Sequence, residues 1–322
     1  MLPRFGGRRR LTAAVVGVGL AACASGDDEA RSAAVTNPQT DEAARMVCGK
    51  MEACTSPTLI RNIFGGLATC RARHSAQIER QSHARGYGST ESESSACKQA
   101  LEAATCQQVM GGMPVEPCRV PGLLPDGASC IGDGQCASQS CFVDENASCG
   151  TCGPPVPEGG DCRSAQCAAG LECTRKKKCV KPAPEGADCD VSGDLPCEAL
   201  LFCGGNKCVK GLSKGAECKL AEGAVPCDFF KGLVCVPNGI GSNALVGTCD
   251  EVSISKVGET CDVISIEPFK YALCEGADCV NGICVAKLPD GASCSPDGPR
   301  RCQEPAKCRN GRCALRDPAV CD

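Results

Sequence analysis

The stretch PDGASCSPDGPRRCQEPAKCRNGRC, Pro289 to Cys313, decides how this chain folds. A bend-forming Pro-Asp-Gly runs into Cys294, and Cys302, Cys308 and Cys313 follow. Proline presets the first central angle of a type I turn and glycine suits its last position, so the segment is expected to open on that bend. It closes on Asn310-Gly311 between two cysteines, and Asn-Gly is the strongest short hairpin signal because both residues tolerate positive φ. With that turn, Cys308 and Cys313 stand opposite each other on one face of the hairpin. They can bridge across it or both point inward to Cys294 and Cys302. The inward pairing staples the opening bend to the hairpin and is the expected one, although four cysteines permit three connectivities.

Working outward, five earlier segments open alike: PDGASC ending at Cys130, PEGGDC at Cys162, PEGADC at Cys189, SKGAEC at Cys218 and KVGETC at Cys261. Residues 121–322 therefore read as six tandem cysteine-rich repeats, starting near 125, 157, 184, 213, 256 and 289. The fourth and fifth openings lack proline. The first repeat holds Cys130, Cys136, Cys141, Cys149 and Cys152; the second Cys162, Cys167, Cys173 and Cys179; the third Cys189, Cys197, Cys203 and Cys208. The fourth holds Cys218, Cys227, Cys235 and Cys249, and the fifth Cys261, Cys274, Cys279 and Cys284. The first set is odd, and so is Cys321, alone after the sixth repeat. Either Cys321 meets a first-repeat cysteine and folds the array back on itself, or pairing crosses between neighbours. The second needs less chain closure and is the expectation.

Residues 41–120 carry a helical pattern. Thr40 is placed to cap, Asp41 and Glu42 suit the positive end of the dipole, and Ala44, Val47, Cys48, Met51 and Cys54 recur at helical spacing up to Pro57. Ile60, Ile63, Leu67 and Cys70 form a second face interrupted at Gly65-Gly66, and Cys97, Ala100, Leu101 and Ala104 a third. Cys48, Cys54, Cys70, Cys97, Cys106 and Cys118 are expected to staple this part by three internal bridges.

Residues 1–22 combine Arg4, Arg8, Arg9 and Arg10 with an apolar run from Leu11 to Ala22, the pattern of a secretory signal peptide. Twelve apolar residues span about 18 Å, short of the roughly 30 Å of a hydrocarbon core. Leu20-Ala21-Ala22-Cys23 resembles a bacterial lipobox, in which the cysteine thiol accepts a diacylglyceryl group. Residues 23–40 then read as lipid anchor and flexible tether. The implied location is the envelope of a Gram-negative bacterium. Because Ala24 is not the Asp that retains lipoproteins on the inner membrane in well-known sorting systems, the outer membrane is favoured.

Composition agrees with a cross-linked scaffold. The 322 residues include 33 cysteines, 38 glycines and 21 prolines, against seven phenylalanines, two tyrosines and no tryptophan. So little bulky apolar material leaves chain entropy to be offset by bridges, which persist in oxidising compartments. With Cys23 assigned to lipid, 32 cysteines remain, an even number. Removing the four signal arginines moves the formal charge from −4 to −8, which speaks against nucleic acid as a partner.

The lipobox, the six-cysteine helical part and the repeats together resemble cysteine-rich lipoproteins of myxobacteria. The repeats, above all DGASCIGDGQCASQSCFVDENASCGTC from Asp126 to Cys152, are also similar to the N-terminal cysteine-rich region of Dickkopf proteins. The resemblance implies a small disulfide-rich fold, in which β-hairpin and irregular modules follow a helical domain, and an extracellular binding role without an assigned reaction.

Motifs for chemistry are few. The pair Cys149–Cys152 is a CxxC without the strand–helix context that activates a thiol, so a structural role is expected. His74 and His83 are nine apart, which does not place both on one helix face for a metal. Arg175-Lys176-Lys177-Lys178 reads as a solvated hairpin tip, and Asn146-Ala147-Ser148 is a glycosylation sequon of little weight in a bacterial protein. The expectation is a non-catalytic surface lipoprotein without catalytic residues, metal or cofactor. It is held to the membrane by its lipid and binds a protein or polysaccharide ligand. The alternatives are a disulfide-rich protease inhibitor and a thiol redox or metal-handling protein.

Overall fold

The computed structural model describes residues 38–321 apart from 89–90, 114, 145–146, 222, 240–244 and 267–268. The signal stretch, the lipobox Leu20, Ala21, Ala22 and Cys23, and Asn146 of the sequon lie outside the described residues. No described helix is long and apolar enough to cross a membrane. The chain is a small disulfide-rich protein with short strands and few helices, and 32 cysteines form 16 disulfides.

Helix α1 (Pro38–Cys54) starts before Thr40, as suits proline in a first turn. Thr40, expected as its cap, instead lies buried inside that turn, where the Ser75 hydroxyl donates to its oxygen at 3.3 Å. Pro57, expected as a stop, opens α2 (Pro57–Phe64) behind the capping hydroxyl of Ser56. Gly65 at φ 83° ends α2, and α3 (Leu67–Ser82) follows. After α4 (Glu91–Ala103), α5 (Cys106–Met110) begins with a reciprocal capping box between Thr105 and Gln108. Cys48–Cys70 joins α1 to α3, Cys54–Cys106 joins α1 to α5, and Cys97–Cys118 holds α4 to the turn at 116–118. Sulfur is much of the core: Cys48, Cys54 and Cys70 pack with Met51, Ile60, Phe64 and Met110.

Downstream, the same staple recurs six times. The first cysteine pairs with the third and the second with the fourth in Cys162–Cys173 with Cys167–Cys179, Cys189–Cys203 with Cys197–Cys208, and Cys218–Cys235 with Cys227–Cys249. Cys261–Cys279 with Cys274–Cys284 and Cys294–Cys308 with Cys302–Cys313 repeat it. The first segment does so while skipping Cys149, with Cys130–Cys141 and Cys136–Cys152. Cys308 faces Cys313 and Cys279 faces Cys284 across hairpins whose Asn310-Gly311 and Asn281-Gly282 have positive φ. Their side chains leave one face of the ribbon, so each pair reaches inward rather than across.

The opening bend is a correction. Residue four donates to the carbonyl of Pro125, Pro157, Pro184, Ser213, Lys256 or Pro289 at 3.0–3.2 Å, which puts proline first and glycine third. Those glycines have φ of 78–90°, the conformation that a type II bend requires at its third place and that only glycine adopts freely. Glycine therefore sets the bend, and Ser213 and Lys256 start it as well as proline does. In all six, the glycine N–H donates to the carbonyl of the last cysteine at 2.7–2.8 Å, tying bend to hairpin. A Cβ on Gly258 would meet nothing within 4 Å. Gly258→Ala is thus expected to cost about 1–2 kcal/mol through backbone conformation alone, read as a lower denaturation midpoint without reductant. An unchanged midpoint would show that the bridges impose the bend.

The cysteine-rich segments dock around the helices. The first meets the end of α3, where Leu123 N donates to Gly86 O at 2.8 Å and Gln135 Nε2 to Arg85 O at 2.8 Å. In the third, Ala199 and Leu200 pack on the core shared by α1, α2 and α5. The fourth sends Lys231 to the carbonyls of Cys54 and Thr55 at the end of α1, at 3.2 and 3.0 Å. The fifth meets α2 through Asn62 Nδ2 to Cys274 O at 2.9 Å, and Lys287 Nζ donates to Ile63 O at 2.6 Å in the last turn of α2. A cation at the negative end of a helix is favoured, and here it comes from distant sequence. The sixth is clamped to α3, where Arg73 grips both Asp290 oxygens at 2.7 Å. The array then closes: Cys149 pairs with Cys321, 172 residues away. The expectation of pairing between neighbours is therefore wrong. It counted chain closure alone, whereas α3 carries both ends of the array and brings them together.

Candidate functional site

The closure brings Arg309 and Arg316 onto the first segment and leaves a cleft at Cys321. From the sixth segment, Arg309 donates to the carbonyl of Ala147, and Asn310 Nδ2 donates to Ser148 Oγ at 3.2 Å. These contacts hold the residues just before Cys149. Arg316 extends over α3: its backbone N–H reaches Gln77 Oε1 at 3.1 Å and its guanidinium reaches Ile131 O at 2.8 Å. Arg80 and Asp317 face each other at 3.8 Å, both half exposed. Behind Cys321, Arg85, Leu124, Ala128, Ser129, Gln135 and Pro318 line a cleft of about 80 Å³.

Burial sets the electrostatics. Arg309 is 7 % exposed, and desolvation pushes its guanidinium down to about 10, reinforced by the nearby Arg316. Its Nε has no hydrogen-bond partner. Arg316 is lowered by burial in the same way, opposed by Asp133. Burial raises the Asp133 carboxyl, while the Cys141 N–H at 2.8 Å and Gln166 pull it back. Arg316 thus bears on Arg309, while Asp133 bears on Arg316.

A second cleft, about 40 Å³, lies between α2, α3 and the last two segments, lined by Ile63, Phe64, Arg73, Lys287 and Glu304 among others. Lys287 is 4 % exposed and desolvation lowers it to about 8. His74 lies in the same region, 2 % exposed, with its ring 5.5 Å from Phe64 and neither nitrogen hydrogen-bonded. Burial brings it down to about 4, so it is neutral near pH 7. One of its ring nitrogens lies within 4.8 Å of the Cys48 and Cys70 sulfurs, but those sulfurs form a disulfide and are not the thiolates a metal binds. Both clefts are smaller than the roughly 300–1,000 Å³ of ordinary small-molecule sites.

Other residues singled out by sequence are dispersed. His83 caps the end of α3. Cys149 and Cys152 both bridge, but to Cys321 and Cys136. Arg175, Lys176, Lys177 and Lys178 form an exposed hairpin tip, with Lys176 on Asp194 at 2.6 Å. Sequence reasoning did not single out Arg73, Lys287, Arg309 or Arg316, because each acts on a partner more than 150 residues away.

No family description, no curated protein and no solved structure matches this chain.

Proposed function

We propose that the chain is a cell-envelope lipoprotein of the cysteine-rich kind found in myxobacteria, anchored through Cys23 to the outer membrane. It acts as a non-catalytic binding and structural module for a protein or polysaccharide. Its fold is read as six tandem Dickkopf-like repeats set around a helical domain. One observation carries this reading: the same two-bridge staple is repeated while the hairpin tips it presents differ. The exposed tips read Arg175-Lys176-Lys177-Lys178, Gly205-Asn206-Lys207, Asn281-Gly282-Ile283 and Asn310-Gly311-Arg312. A constant staple under variable tips suits recognition, because ordering a rigid loop on binding costs little. The number of bridges favours an oxidising location, and the small clefts favour contact by surface rather than by an enclosing pocket.

Replacing Cys23 with Ala is expected to move the protein from the membrane fraction to the soluble fraction of a cell lysate. Full retention would remove lipid as the attachment. The soluble mature chain, tested against serine, cysteine, aspartic and metalloproteases, is expected to inhibit none. Stoichiometric inhibition of one class would replace the binding-module reading with the inhibitor.

A further inference from the structure

We propose that Cys149–Cys321 is a thiol-exchange site, opened by a dithiol reductant ahead of the other bridges, and that its opening releases the segment 317–321, beyond the docked Leu315 and Arg316, while the helices stay folded.

Three observations at the closure support the assignment. The first is access: in this bridge neither cysteine is buried, a property shared among the 16 bridges only with Cys294–Cys308. Cys321, unlike Cys294 and Cys308, also lines the cleft of about 80 Å³, which leaves room beside its sulfur. The second is charge. Arg309 is held to Ala147, two residues before Cys149, with its buried Nε unpartnered and Arg316 close enough to depress it. A positive surrounding favours a departing thiolate, so Cys149 is the better leaving group and Cys321 the sulfur attacked. The third is what holds the ends together. The other bridges close loops of 10–52 residues, and within each repeat a second bridge keeps an opened pair close. The closure spans 172 residues, and beyond Arg316 its visible support includes the long, exposed Arg80–Asp317 pair. Thiols that separate on opening re-form their bridge slowly.

The step balances as ordinary exchange. One thiolate of the dithiol attacks Sγ of Cys321, the Cys149–Cys321 bond breaks, and Cys149 leaves as a thiolate that takes up a proton. The second thiol attacks the mixed disulfide and releases Cys321 as a thiol. The dithiol becomes a disulfide, and two electrons and two protons pass to the protein.

The full mature chain, treated with one equivalent of dithiothreitol, alkylated and mapped by mass spectrometry, is expected to carry label on Cys149 and Cys321 at about tenfold the level of any other cysteine. Hydrogen exchange on that sample should quicken at 317–321 and 147–152 and stay slow in α1, α3 and at Leu315 and Arg316. A chain with both cysteines changed to serine should show the same exchange pattern and lose the early-labelled pair. First label on Cys294–Cys308 or on the exposed Cys173 or Cys279 would overturn the assignment. Loss of helical protection together with label at the closure would overturn the local opening.

Discussion

A chain carrying Cys149→Ser and Cys321→Ser is expected to unfold with about 4 kcal/mol less free energy than the parent in non-reducing guanidinium. The two cysteines lie 172 residues apart, but the other bridges shorten the path between them. Following the chain and crossing each intervening staple leaves an effective loop on the order of 100 residues, worth about 4–5 kcal/mol of denatured-state entropy. A local bridge such as Cys197–Cys208, at separation 11, constrains the denatured chain by about 3 kcal/mol in the same treatment. The closing bridge is therefore the larger entropic contributor, although it covers no core of its own. Arg316 on Ile131 and Gln77 still joins the ends in the variant, which places the expected loss at the lower end of the range. A loss below about 1 kcal/mol would mean that the contacts on α3 fix the ends without the bridge.

Acid is expected to destabilise the protein through His74. Its folded value of about 4 lies below the ordinary 6.5, because burial disfavours the imidazolium; nearby Glu304 favours the charged ring and Arg73 disfavours it. The unfolded chain therefore binds a proton that the folded chain refuses. Stability from this group is complete above pH 6.5 and is lost as pH falls toward 4, by about 3 kcal/mol at the end of that window. His74→Phe, which keeps an aromatic ring beside Phe64 and removes the titration, should lose correspondingly less between pH 7 and 4. Denaturant midpoints for both proteins across that range provide the check, and parallel curves would show that His74 stays uncharged at little cost. Asp161, held near 2 by Arg163, keeps its charge across most of the window and so adds little slope of its own.

The repeats were legible because their physics is local. Asn281-Gly282 and Asn310-Gly311 specify hairpins, the hairpins put Cys279 with Cys284 and Cys308 with Cys313 on one face, and a shared face makes inward pairing the economical one. The bend before each first cysteine was legible as a bend but misplaced by one residue, since Pro-Asp-Gly fits two turn registers. Only the backbone shows that glycine takes the positive-φ place. Thr40 was misread for a related reason. Threonine before two acids is a capping pattern, but a helix that already started at Pro38 leaves it inside the first turn.

The sequence by itself determined a disulfide-rich chain with helices before residue 120 and four-cysteine staples after it, because turn residues and cysteine spacings act over ten to thirty residues. Only the tertiary structure decided the closure. Lys231 and Lys287 seek helix ends, Arg73 seeks Asp290, and Arg316 seeks Ile131. Such contacts have no local signature, because a charged side chain in the sequence looks the same whether it meets water or a distant carbonyl. Once α3 gathers both ends of the array, the entropy of joining Cys149 to Cys321 is already offset by docking, and the longest loop in the protein can close.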